Sequence, residues 1–178
     1  MKKLILVTLT LLVCISVSVS AEEEFLWNAS VMLGGSSSNG DGMGGIGVEL
    51  MREFGQHLEL GFSAYAQAEV SKDYVDEQGR EYHMSSGFGT LVIKPKFAIG
   101  KRVELAFPLE SGNGLLQYRY NGEYREELRW TEEIIDQVNH SVYSAGIEPK
   151  ILIGERGALT AAAGYRVTGP LRTDLATS

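Results

Sequence analysis

Apolar residues recur at every second position along most of this sequence, and this period constrains the fold more than any other feature. The clearest case is residues 58–70, where the even positions are apolar and the odd positions carry Glu, Gly, Ser, Tyr and Gln. Because successive side chains of a strand point to opposite faces, this pattern predicts a strand with one apolar and one polar face. The same reasoning predicts seven strands, at 25–35, 44–54, 58–70, 82–99, 103–120, 141–153 and 158–168.

The connections between these strands alternate between short and long. Gly55, Gly100 and Gly154 each follow an apolar residue and precede a Leu by five positions. A glycine with positive φ favours the tight hairpin that this spacing predicts. Longer polar segments lie between the short turns, at 36–43, 71–81 and 121–140. Tight turns at one end and long loops at the other are typical of an up-and-down meander barrel of the outer-membrane type.

Three irregularities carry expectations of their own. Pro95, Pro108 and Pro149 fall inside strands, where proline removes a backbone donor, so bulges or broken pairing are expected there. The apolar phase flips near 111–114, and a glycine-rich bulge would explain the flip. Bacterial barrels normally have an even number of strands. A barrel of about eight strands is therefore expected, with the last strand missing from the sequence or with an unusual closure.

The N-terminal segment has the features of an export leader. Lys2 and Lys3 precede an apolar run that begins at Leu4, and small residues lead to Ala21. This pattern predicts a signal peptide at 1–21 and a β-barrel domain at 22–178. A transmembrane anchor is the alternative, but the apolar run is short for a helix that spans a bilayer. Cys14 is the only cysteine, so residues 22–178 cannot form a disulfide or a Cys-ligated zinc site.

The charge of the chain excludes one class of partner. The formal net charge is −7, and it becomes −9 without Lys2 and Lys3, since residues 1–21 contain no acidic residue. A domain this acidic is a poor ligand for nucleic-acid phosphates, so no nucleic-acid partner is expected.

With these features the chain resembles the small outer-membrane β-barrels, a porin-like group that includes the OmpA and OmpX transmembrane domains. The resemblance covers nearly all of 25–168 and rests on the meander, the facial alternation and the turns of the type Ile99-Gly100-Lys101-Arg102. It implies the outer membrane of a Gram-negative bacterium as the location. It also implies contacts with outer-membrane lipid, lipopolysaccharide and the barrel-assembly machinery, and a monomeric barrel.

Charged residues of both signs occupy the polar face. In a narrow barrel the interior is filled by side chains, so opposite charges there can pair. The predicted lumen charge network comprises Glu49, Glu59, Lys94, Lys96, Glu104, Glu110, Arg119, Glu148, Lys150 and Arg166. The predicted lipid-facing aromatic girdle comprises Phe25, Trp27, Phe54, Tyr82, Phe107, Tyr118 and Tyr120. These assignments predict a structural or narrow porin-like role. Two alternatives stay open: a lipid A-modifying outer-membrane hydrolase, and a soluble periplasmic binding barrel with the two faces reversed.

One pair of residues could carry chemistry. His83 and Ser85 lie two apart on one strand face, and some outer-membrane barrels that hydrolyse lipid A use a His-x-Ser pair. In that family Asn follows, whereas Ser86 stands here, and the apolar residues at 82, 84 and 88 predict that the pair points into the lumen. The histidines are too scattered for a metal site. We therefore expect no catalytic, cofactor or metal site.

Overall fold

The described part of the chain forms one antiparallel sheet of ten strands that closes on itself. The computed structural model describes residues 4–21, 25–38, 41–70, 74–76, 78–120, 134–153 and 157–171. The strands are β1 Leu4–Ala21, β2 Phe25–Ser38, β3 Asp41–Phe54, β4 Leu58–Glu69, β5 Tyr74–Val75, β6 Glu81–Ala98, β7 Val103–Ala106, β8 Leu109–Tyr120, β9 Ile134–Ile153 and β10 Gly157–Leu171. The predicted all-β meander is confirmed.

Eight strand positions make up the ring. Strands β7 and β8 lie end to end and pair with β6 on one side and β9 on the other, so they act as one strand with a break at Phe107 and Pro108. Strand β5 lies off this ring and pairs with the end of β6. The remaining strands follow chain order, and β10 closes the ring by pairing with β1. The expected number of about eight is confirmed.

The eighth position is filled by a segment that the sequence pattern assigns to the leader. Strand β1 pairs with β10 from Leu4 to Val17 and with β2 from Leu9 to Ala21. Pairing of β1 with both neighbours gives the ring an even number of strand positions, which is an unusual closure of the kind expected. A last strand missing from the sequence stays a prediction. Whether residues 1–21 are removed as a signal peptide is a separate question, and that assignment stays a prediction.

The three prolines disturb the sheet less than expected. Pro95 pairs with Leu58 and Pro149 with Leu105, without a shift of register. The proline carbonyls still accept hydrogen bonds, since Phe107 N–H donates to Pro95 O over 2.9 Å. Only Pro108 lies at an interruption, between β7 and β8. Proline thus removes single donors here and causes no bulge.

The expected bulge at 111–114 is also absent. Strand β8 pairs with β6 without interruption from Leu109 to Tyr120, and its register against β9 shifts only between Tyr118 and Arg119. The even positions of β8 consequently face the interior along its length, and Leu116 and Tyr120 are buried there. The apolar residues change because the interior near this end of the barrel is apolar, and the strand does not turn over.

This correction changes the aromatic girdle. Tyr120 is buried in the interior, and the rings of Tyr82 and Tyr118 pack edge to face, with centroids 6.1 Å apart, at the same inward parity. These three tyrosines are therefore wrong as girdle residues. Trp27, Phe54 and Phe107 lie on the outward face, as expected, while the side chain of Phe25 lies outside the described residues.

The connections differ from expectation at both ends. Gly55 has a positive φ of 65°, but Gly100 does not, and Gly154 lies outside the described residues. The first predicted long loop is short, because β2 and β3 stay paired as far as Ser38 and Asp41. Strand β9 begins at Ile134, inside the third predicted loop.

The two faces of the sheet separate by polarity. The outward positions expose large apolar side chains, including Phe62 at 60% and Leu91 at 59%. A cluster of Met32, Tyr65, Phe88 and Val142 fills part of the interior. Within the described ranges, the structure has no helix long and apolar enough to span a membrane.

Candidate functional site

A lysine in the C-terminal third of β6 joins opposite walls of the barrel. Lys94 occupies an even position of β6, and its ammonium lies 2.6 Å from Glu49 Oε1 and 3.0 Å from both carboxylate oxygens of Glu148. Glu49 is on β3 and Glu148 on β9, and neither strand is a neighbour of β6. All three side chains are buried. One ammonium thus cross-links three separated strands through the interior.

A second group of charges lies closer to the tight turns. Lys96 Nζ is 2.9 Å from Glu53 Oε1, 2.9 Å from Glu59 Oε1 and 3.9 Å from Glu104 Oε2. Lys150 Nζ reaches the same Glu59 and Glu104, at 3.6 and 3.7 Å. We call the set Glu49, Glu53, Glu59, Lys94, Lys96, Glu104, Glu148 and Lys150 the interior charge cluster. It contains five carboxylates and three ammonium groups.

Glu53 belongs to this cluster although the sequence analysis did not select it. It shares the odd parity of Glu49 on β3, which is the inward face of that strand. Its ammonium partner Lys96 is on β6. Parity along β3 predicts that Glu53 faces the interior, but it does not predict the contact with Lys96.

Arg166 and Glu110 are inside the barrel but outside this cluster. The guanidinium of Arg166 lies 4.0 Å from the centre of the Phe88 ring and 5.9 Å from that of Tyr65. A cation over an aromatic face is attracted by the ring quadrupole. Glu110 Oε2 accepts a hydrogen bond from Thr90 Oγ1 over 3.4 Å.

Arg119 lies apart from the predicted network. It is at an odd position of β8, opposite His83, whereas the inward positions of β8 are even. Its assignment followed from the supposed phase flip, which does not occur. Arg119 is half-buried and follows a shift of register against β9, so its place in the lumen network stays a prediction.

His83 and Ser85 are on the outward face of β6. Phe88 is buried in the interior, so the inward positions of β6 are even and those of the pair are odd. The expectation that the pair points into the lumen is wrong for this reason.

Little space remains around the interior charges. A cavity of about 40 Å³ is bordered by Glu49, Lys94, Glu110, Glu148 and Arg166, among others. A second cavity, of about 20 Å³, lies between Glu59, Lys94 and Lys150. Volumes of this size hold one or a few water molecules. In the part of the chain that the structure describes, these charges leave room for water but not for a larger solute.

A compact polar contact lies at the opposite end of the barrel from the tight turns. Arg80 Nε is 2.8 Å from Asp76 Oδ2, and the Tyr120 hydroxyl donates to the same oxygen over 2.9 Å. Partial desolvation raises the pKa of Asp76. Hydrogen bonds from the backbone and side chain of Arg80, the Tyr120 hydroxyl and the Gln78 backbone outweigh it and lower the pKa to about 2. Asp76 therefore stays ionised at any ordinary pH.

No metal site is evident among the described residues, which contain no group of three or more His, Cys, Asp or Glu side chains placed to hold an ion.

Comparisons with known proteins add little to this geometry. No protein-family model matches the chain, and no curated protein matches it. Similar solved structures include two of Ail, the attachment invasion locus protein of Yersinia pestis. The one in complex with the heparin analogue sucrose octasulfate has a TM-score of 0.38 and 10% identity, and covers 92% of this chain and 98% of that chain. The other has a TM-score of 0.35 and 11% identity, and covers 92% and 97%. At this level, no property of Ail is transferred to this chain.

Proposed function

We propose that this protein is an outer-membrane β-barrel with a structural or narrow porin-like role, without catalysis, whose interior is closed by paired charges. The observation that carries the proposal is Lys94, whose ammonium is held between Glu49 and Glu148 from opposite walls. A solute would have to separate these buried ions in order to pass.

The outward face supports a location in lipid. On the strands whose side chains are described, exposed apolar side chains at alternate positions form a belt around the barrel. The belt includes Val31, Leu33, Ile46, Val48, Leu50, Phe62, Leu91, Ile93, Ile147, Ile151, Leu159 and Tyr165. Soluble monomers rarely expose so large an apolar patch. A soluble barrel would also have the opposite arrangement, with the apolar side chains inside. The soluble binding barrel is thus the weaker proposal.

The apolar belt ends before the wall does, on the side away from the tight turns. On β6 the outward residues change from Phe97, Ile93 and Leu91 to glycine and serine, and on β8 they change at Ser111 and Asn113. Uncharged polar side chains are costly in hydrocarbon without partners. We therefore infer that this part of the wall rises above the bilayer into the headgroup region or water.

The location is tested by fractionation of cells that express the full chain. We expect the protein in the outer-membrane fraction, with gel migration that changes on heating, as for a barrel that resists detergent until boiled. A soluble periplasmic pool with heat-independent migration would favour the soluble barrel.

The closed interior is tested by conductance in planar lipid bilayers. We expect little or intermittent current from the unmodified protein. A large, steady conductance would mean that the interior is open, and a porin function would then replace the structural one.

A further inference from the structure

Three tyrosines pack on one another at the end of the barrel away from the tight turns. The rings of Tyr74 and Tyr82 stack with their centroids 5.4 Å apart, and the ring of Tyr118 meets both edge to face, at 6.2 and 6.1 Å. We call Tyr74, Tyr82 and Tyr118 the tyrosine cluster. Each of its side chains is half-buried, so part of each ring is open to a ligand. Tyrosine is enriched where proteins bind partners, because it offers a large apolar area with a polar tip.

Carboxylates lie on two sides of the tyrosine cluster. Asp136 on β9 is the register partner of Tyr118. On the other side, the Tyr74 hydroxyl donates a long hydrogen bond of 3.5 Å to Glu69 Oε1. The charges of Glu69 and Asp136 both act on the Tyr118 hydroxyl. Aromatic faces with carboxylates beside them attract organic cations and repel anions.

A cation of the chain itself occupies the neighbouring ring. The Arg80 guanidinium lies 4.4 Å from the centre of the Tyr120 ring, and its Nε donates to Asp76 Oδ2 over 2.8 Å. The guanidinium is thus held by a tyrosine face and a carboxylate together. Tyr118 lies two residues from Tyr120 on the same face of β8, and Asp136 is beside it. The same combination of groups therefore occurs a second time at this end of the barrel.

We propose that the tyrosine cluster, with Glu69 and Asp136, is a docking site for an arginine-bearing peptide segment of a partner protein. The planar guanidinium would lie on a tyrosine face and donate to a carboxylate, in the way that Arg80 contacts Tyr120 and Asp76. Arginine fits this site better than lysine, because an ammonium is more strongly hydrated and does not stack on a ring. The site lies at the end of the barrel, so it does not depend on whether the interior conducts.

Calorimetric titration of the refolded full chain in non-ionic detergent micelles tests the proposal, with tetra-arginine amide as the probe. We expect saturable binding that is about threefold or more tighter than that of tetra-lysine amide. Tyr82→Leu and Tyr118→Leu should each weaken the binding of tetra-arginine by about three- to thirtyfold, because leucine has no ring quadrupole. Tyr143→Leu is the control, since Tyr143 is exposed on the outward face of β9 and should not contact the peptide.

Two carboxylate variants separate a specific site from general attraction to an acidic protein. Asp136→Asn should weaken the binding of tetra-arginine by about three- to fivefold. Glu81→Gln removes the same charge from an exposed side chain next to Tyr82 in the sequence, at the outward parity of β6, and should leave the affinity unchanged. Heat-modifiable migration verifies that each variant is folded.

Equal losses in Asp136→Asn and Glu81→Gln would overturn the proposal, because net charge alone would then explain the binding. An unchanged affinity in a folded tyrosine variant would overturn it as well, and so would equal affinity for the two peptides. The comparison of the peptides uses the unmodified protein, so it holds even if a variant does not fold. Absence of binding to tetra-arginine would also overturn the proposal and would favour lipid headgroups as the neighbours of these rings.

Discussion

At the scale of single residues, the interior is held by ions that each depend on several partners. Removing one member of a buried ion pair costs more than the pair contributes, because the remaining charge is left in a poorly hydrated site. Lys94 is the extreme case, since two carboxylates on different strands share its ammonium.

We expect Lys94→Met to lower the free energy of unfolding by about 3–5 kcal/mol, because Glu49 and Glu148 would both lose their cation. Unfolding by guanidinium in vesicles, followed by tryptophan fluorescence, measures the loss. Lys101→Met is the control: Lys101 is exposed in a tight turn, and its replacement should change the value by less than about 0.5 kcal/mol. Glu148→Gln in the Lys94→Met background should restore part of the loss. A loss below about 1 kcal/mol would show that the carboxylates do not need Lys94.

Gly47 makes room for an aromatic ring in the interior. A Cβ at this position would collide with the Tyr65 ring and approach Ala64 O to 2.8 Å. We expect Gly47→Ala to destabilise the barrel by about 1–3 kcal/mol through overpacking. Gly87→Ala is the matched control, because its nearest atom would be Tyr65 O at 3.8 Å. The same unfolding measurement compares the two, and equal effects would contradict this account of the packing.

The contact of Asp76 with Arg80 and Tyr120 should resist acid. The pKa of Asp76 is lowered to about 2 from its ordinary value of 3.8, so the stability it contributes is complete above pH 3.8 and lost as the pH falls through about 2. Carboxyl NMR titration of Asp76 in detergent micelles measures this midpoint. Tyr120→Phe removes one hydrogen bond to the carboxylate and should move the midpoint upward. An unchanged midpoint in that variant would exclude a contribution from the hydroxyl.

At the scale of elements, the outward or inward orientation of each β4 residue determines which substitutions should impair assembly in lipid. Ala64 is an exposed outward residue, and its neighbour Ser63 is buried with its hydroxyl 2.7 Å from Thr90 Oγ1. An Arg on the lipid face near the bilayer midplane costs about 2–4 kcal/mol. We expect Ala64→Arg to impair assembly into vesicles, whereas Gln56→Arg in the exposed turn should not. Normal assembly of Ala64→Arg would mean that this face is not in lipid.

The alternation predicted the elements well where the two faces differ in polarity. Strands β3 and β4 begin and end within a few residues of the predicted bounds. The prediction failed on β8, where apolar Leu116 and Tyr120 face inward and polar Asn113 faces outward. Period two fixes which residues share a face, but it does not say which face meets lipid. Near the end of the barrel the polarity of both faces changes, and the pattern there indicated a bulge that does not exist.

Only part of the candidate site could be predicted from the sequence. Parity placed Lys94, Lys96 and Glu49 on the polar face, but the contact between Lys94 and Glu49 joins strands that are not neighbours. Such contacts depend on the closure and diameter of the ring, which local alternation does not contain. The inward facing of Arg119 rested on a phase flip that β8 does not show in its pairing with β6, so alternation alone could not place this residue.

At the scale of the whole molecule, the balance of interior charge should determine what passes if the barrel is opened. Within the interior charge cluster, carboxylates outnumber ammonium groups. Lys96 Nζ lies 2.9 Å from a carboxylate oxygen of both Glu53 and Glu59. Loss of a lysine would leave an acidic interior, which attracts water and cations. On this account, charge pairing and not apolar packing closes the interior of the unmodified barrel.

We therefore expect Lys96→Ala to raise the conductance in planar bilayers and to make it selective for cations, because Glu53 and Glu59 would lose their ammonium partner. The reversal potential under a KCl gradient measures the selectivity, and heat-modifiable migration verifies that the variant is folded. Lys101→Ala, in the exposed turn, should leave the current unchanged. A folded Lys96→Ala barrel that conducts no better than the parent would show that side-chain packing closes the interior. An anion-selective current would contradict the assignment of the carboxylates to the conducting path.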